Sequence, residues 1–102
     1  MITKKRDMAE WILDFFRSAK VDTNQIVMFR VFQNKFYDLN PKEKELFYPV
    51  FNELIKNGYF TYEEGNPQCL RLTKKGHDYI YDPNAELDCC YDLRKASRKN
   101  YL

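Results

Sequence analysis

Between Asn40 and Leu72 the hydrophobic repeat of the chain switches from helical to extended, and that one change limits the possible folds more than any other feature. Asn40-Pro41-Lys42-Glu43 is a strong helix start: Asn accepts a hydrogen bond from the first free amides, Pro suits the first helical position, and Glu three residues on closes a capping box. Leu46, Phe47, Val50, Phe51, Leu54 and Ile55 then share one side of a wheel turned 100° per residue. Lys42, Glu45, Tyr48, Pro49, Asn52 and Lys56 share the other. The helix, about 41–57, closes at Gly58, which can adopt the left-handed conformation. Pro49 lies on the outward side, so it either bends the helix around the core or divides it into two short helices. Beyond Gly58 the period falls to two: Phe60 and Tyr62 alternate with Tyr59, Thr61 and Glu63, and Leu70 and Leu72 with Cys69 and Arg71. A helix therefore leads directly into an antiparallel hairpin, about 59–73, whose tip is Glu63-Glu64-Gly65-Asn66-Pro67-Gln68.

The flanks supply further helices. Met8, Trp11, Ile12, Phe15, Phe16 and Ala19 form one continuous stripe over about 4–19. The break Val21-Asp22-Thr23-Asn24 carries capping residues, and Ile26, Phe29, Phe32 and Phe36 keep a helical phase after it. Ile26 to Phe32 is also β-branched and aromatic enough for a strand; the helical reading is the one adopted. Thr73 caps a helix over KKGHDYIYD, in which Gly76 lets the first turn lie close to neighbouring backbone and Asp82-Pro83 stops it. From Asn84 the charges order themselves to suit a last helix, with Glu86, Asp88 and Asp92 early and Arg94, Lys95, Arg98 and Lys99 late. Its apolar stripe, Leu87, Cys90, Tyr91 and Leu93, is thin.

The 102 residues, 44% apolar and 17% aromatic, suffice for one core and hardly for two. No apolar run approaches the roughly 20 residues of a membrane span, and MITKKRDMAEW lacks the features of a signal peptide, so a cytoplasmic protein is expected. Cys69, Cys89 and Cys90 form neither a disulfide framework nor the spacing of a zinc site. They read as reduced thiols, with no metal and no cofactor expected. The net charge of +2 does not announce a nucleic-acid partner, so any such case rests on where the charges sit.

Leu54-Ile55-Lys56-Asn57-Gly58-Tyr59-Phe60, followed by Leu70-Arg71-Leu72-Thr73-Lys74-Lys75-Gly76, resembles the winged helix-turn-helix domain of bacterial regulators, the MarR-like and PadR-like groups included. The resemblance spans about residues 7 to 82. It implies a mainly α fold with a small antiparallel β-hairpin: a three-helix core, a wing and a closing helix in residues 1–83. Residues 84–102 follow as a C-terminal helical tail that serves as a possible dimerisation element. It also implies a DNA-binding transcription regulator, with helix 3 in the major groove of double-stranded DNA and the wing along the phosphates or in the minor groove. By position, Lys42, Lys44, Tyr48, Asn52 and Lys56 then face the groove, and Asn66, Gln68 and Arg71 act from the wing. Lys74 and Lys75 extend the basic surface, and Lys4, Lys5 and Arg6 form a basic amino end.

The pattern departs from that family where it matters. Glu43, Glu45 and Glu53 intersperse the lysines of helix 3, and Glu63 and Glu64 flank the wing tip, each opposing counterion release near phosphate. A winged-helix module that binds protein instead, with Tyr37, Tyr48 and Tyr59 as exposed anchors, accounts for the acidic wing. An enzyme is not expected: there is no glycine-rich phosphate loop and no H-E-x-x-H. No Cys has an evident His base, since His77 reads as a solvated residue. Glu63 and Glu64 point to opposite faces of a strand and make no acid–base pair.

Overall fold

A computed structural model of the chain describes residues 1–91. Four helices and three short strands follow in the order α1 (Lys5–Ser18), β1 (Ile26–Met28), α2 (Phe29–Phe36), α3 (Pro41–Lys56), β2 (Phe60–Glu63), β3 (Cys69–Leu72) and α4 (Lys74–Tyr81). The fold is mainly α with a small antiparallel sheet, ordered β1-β3-β2. None of these helices is long and apolar enough to cross a membrane.

The local signals explain most element boundaries. Asn40 Oδ1 accepts from the Glu43 amide and Glu43 Oε1 from the Asn40 amide, both at 2.9 Å, so the capping box is formed. Pro49 leaves α3 a single helix, because its ring lies on the exposed side, away from the packed one. Gly58 closes the helix at φ 86°. Thr73 caps α4 by accepting from the Gly76 amide at 3.1 Å.

Two expectations are corrected. Ile26–Met28 is a strand, and α2 begins only at Phe29. Val27 pairs with Leu70 and Met28 with Cys69 on β3, and this sheet partner outweighs the helical phase of the segment. From Asn84 to Tyr91 the chain is irregular, where a helix was expected to begin. Burial of Leu87, Cys89 and Cys90 draws this strap onto the core, and hydrogen bonds from distant elements take the place of helical ones. The basic stretch 94–99 of the expected tail lies outside the described residues.

The core is an aromatic stack between α1, α2 and α3. Phe32, wholly buried, sits 5.0 Å from the Phe15 ring, 5.8 Å from Phe47 and 5.8 Å from Phe51. Phe51 continues to Phe60 at 5.3 Å, so the core runs from the outer helices into the hairpin. Such rings bury large areas in fixed geometries, which holds the exposed side of α3 and the hairpin in one orientation.

Candidate functional site

The outward face of α3 is the surface on which the expected site residues converge. Lys42, Tyr48, Asn52 and Lys56 are all exposed on it. The side chains of Lys42, Asn52 and Lys56 make no hydrogen bond or ion pair with the described residues, so their polar groups are available to a ligand. Lys42 and Lys56 are 14 positions apart, about 21 Å along a helix rising ~1.5 Å per residue. Lys44 lies at the edge of this face, its ammonium 5.4 Å from the Phe36 ring centre and 5.8 Å from that of Tyr37.

The carboxylates around this face are mostly consumed internally. Glu43 caps the helix and accepts from the Ile2 amide at 2.7 Å, and these backbone donors hold its carboxyl below the usual range. Glu53 receives Lys5 Nζ at 2.8 Å and the Cys90 amide at 2.6 Å, and the Lys5 hydrogen bond is the main cause of its lowered pKa. Glu45 alone among the three glutamates of α3 remains exposed. The expected basic amino end is thereby divided, with Lys5 turned toward α3.

The hairpin is arranged differently from expectation. Arg71 Nε donates to Glu63 Oε2 at 2.6 Å, Nη2 to Glu63 Oε1 at 3.2 Å, and Nη1 to the Asn24 carbonyl at 2.7 Å. This two-pronged pair lowers the Glu63 pKa and occupies the guanidinium, so Arg71 is not a free outward cation. Its partner lies diagonally across the ladder, since Arg71 faces Thr61 and Glu63 faces Cys69, two positions along. Asn66 and Gln68 are exposed at the tip together with Glu64. The two basic residues after the hairpin are also engaged: Lys74 pairs with Asp78 at 3.2 Å and Lys75 with Asp88 at 2.6 Å.

Three further placements differ from the sequence reading. Tyr59, expected as an exposed anchor, is 2% exposed; its hydroxyl donates to Asp88 Oδ1 at 2.8 Å and accepts from the Asp88 amide at 3.2 Å. Burial, chiefly, raises its pKa. Tyr37 and Tyr48 do remain open, at 63% and 57%. His77 is half-buried, with Nε2 3.3 Å from Asp22 and Nδ1 3.4 Å from Asp78, and its ring lies 5.0 Å from that of Tyr81. Cys89 and Cys90 are buried beside Glu53, a meeting that no local spacing reveals because 37 positions separate Glu53 from Cys90.

Comparison of the chain with protein-family models, with curated proteins and with solved structures finds no match.

Proposed function

We propose that this chain is a winged-helix DNA-binding module of the transcription-regulator kind, with α3 as the element that enters the major groove. The reading rests on one observation: the outward face of α3 presents Lys42, Tyr48, Asn52 and Lys56 to solvent while Glu43 and Glu53, which would repel phosphate, are tied to internal donors. The major groove, ~12 Å wide, admits a helix of this kind, and an Asn amide can bond two edges of adenine at once. Lys42 and Lys56, at opposite ends of the face, reach phosphates on either side. The hairpin contributes through Asn66 and Gln68 rather than Arg71, whose guanidinium is engaged by Glu63. Binding by two copies through the segment 84–102 belongs to the same proposal, since two half-sites compensate for the small surface of one module.

Titration of duplex DNA at several salt concentrations tests the proposal. Lys42→Ala with Lys56→Ala is expected to weaken binding and to reduce the slope of log K against log salt by about 2. Asn52→Ala is expected to relax sequence preference at one base pair, costing about 1–3 kcal/mol on the preferred sequence. Absence of binding by micromolar protein in low salt refutes the proposal.

The second reading, a winged-helix module that binds protein, is favoured by a different observation. Tyr37 and Tyr48 flank Phe36 on one edge of the molecule, with ring centres 5.8 Å and 5.6 Å from it. Such exposed aromatic groups serve as anchors in protein interfaces. Retention of a stable protein partner that Tyr37→Ala and Tyr48→Ala together release, with no DNA-dependent signal, decides for it.

A further inference from the structure

Two thiols and a carboxylate from distant parts of the chain meet beneath the last turns of α3. Cys89 Sγ and Cys90 Sγ lie 3.5 Å apart, and with a Glu53 carboxylate oxygen all three atoms fall within 4.8 Å of one another. Adjacent side chains on extended backbone point to opposite sides. Here Cys90 takes φ 64°, a left-handed conformation uncommon for a residue with a Cβ, and the alternation is broken so that both sulfurs lie on one side. The Cys90 amide donates to Glu53 Oε2, which anchors the strap to α3 at this point.

From this geometry we propose that Cys89, Cys90 and Glu53 form a binding site for one soft, thiophilic divalent cation. The distances suit it. Two sulfurs held about 2.3 Å from a tetrahedral ion stand about 3.8 Å apart, within a few tenths of an ångström of the spacing found here. The carboxylate oxygen, within 4.8 Å of both sulfurs, has to close in by no more than about 1 Å. The charges also suit it. Binding one cation releases the two thiol protons, so the ion's +2 meets two thiolates, while Glu53 stays balanced by Lys5 at 2.8 Å. A nearly buried site can hold an ion only when its charge is compensated in this way. A hard cation such as Mg²⁺, which requires about six oxygens, finds no such set here.

The site is independent of DNA binding, and its test uses the whole, reduced protein. Cd²⁺ is titrated in and the ultraviolet sulfur-to-metal absorption is followed, together with thermal unfolding. One equivalent is expected to saturate the band and raise Tm by several degrees. Cys89→Ser combined with Cys90→Ser is expected to abolish the band, and Cys69→Ser to leave it unchanged. Glu53→Gln is expected to weaken Cd²⁺ binding about tenfold or more. Should the double variant fail to fold, the wild-type protein decides alone: one equivalent of Cd²⁺ must protect Cys89 and Cys90, but not Cys69, from a thiol-alkylating reagent mapped by mass spectrometry. Absence of the band, its persistence in the folded double variant, or equal protection of Cys69 overturns the proposal.

Discussion

Replacing Gly76 with Ala tests how closely α4 is seated on the end of α3. A Cβ at this position falls 2.0 Å from the Tyr59 carbonyl oxygen, 2.8 Å from Leu72 Cδ1 and 3.0 Å from the Tyr59 carbonyl carbon. Ordinary contact begins near 3.4 Å, so one backbone segment has to retreat by about 1.4 Å. The nearest obstacle is main chain and cannot step aside by changing rotamer. Overpacking of this kind costs about 1–3 kcal/mol, and the upper end applies against backbone. Retreat of Tyr59 also stretches the bond its carbonyl accepts from Thr73 Oγ1, now 2.9 Å, adding about 1 kcal/mol. Against this, Ala gains about 1 kcal/mol over Gly in helix propensity. The net expectation is a loss of about 3 kcal/mol, which lowers Tm by about 12 °C or more for a chain of this size. Urea and thermal unfolding followed by far-ultraviolet circular dichroism measure it. A variant as stable as the wild type, or about 1 kcal/mol more stable as propensity alone would have it, refutes the close seating.

Acid should loosen the amino end of α3. The Glu43 carboxyl is held below its ordinary value of 4.5 by the Ile2 and Asn40 amides, so its stabilising contribution is full above that pH and is lost as pH falls through the lower, folded-state value. Urea unfolding across this window is expected to show a steeper loss of stability in the wild type than in Glu43→Gln. At alkaline pH, burial and the hydrogen bond to Glu10 push Tyr79 up to about 12, so the stability it lends is complete below the ordinary value of 10.0 and disappears as pH rises toward about 12. Its tyrosinate absorbance should therefore appear late, together with unfolding, and a Tyr79→Phe variant should lose one tyrosine's share of that late step, Tyr59 supplying the rest. At the hairpin, Glu63→Gln frees Arg71 from its ion pair whereas Glu64→Gln only removes an exposed charge. DNA binding that strengthens more in the first variant than in the second places the hairpin beside phosphate, and equal affinities in both variants and the wild type remove the hairpin from the interface.

The elements that could be read from the sequence are those whose signals are local. The Asn40–Glu43 box, Pro41, Gly58 and Thr73 act within four residues of themselves, and all appear where expected. The close approach at Gly76 was legible for a related reason, since Gly within a helical pattern marks a place where backbones meet. The segment Ile26–Met28 was not, because its preferences were balanced and the choice fell to β3, more than 40 positions later. The strap 84–91 failed similarly: its charge order suits a helix, but burying Leu87, Cys89 and Cys90 outweighs a dipole effect of about 0.3–1 kcal/mol.

The same division holds for the candidate site. The periodicity of α3 is enough to say which residues face outward, because a helix turns by the same angle at every step and its apolar side must face the core. Which of those charges remain available is a matter of distance across the fold, and periodicity carries no information about that. Glu43 meets Ile2, Glu53 meets Lys5 and Cys90, and Arg71 meets Glu63 and Asn24 only once packing has brought separate segments within about 3 Å. An ion pair is set by an approach of a few ångströms between side chains, so the acidic hairpin that seemed to oppose phosphate in the chain is, in the folded protein, half neutralised by its own arginine.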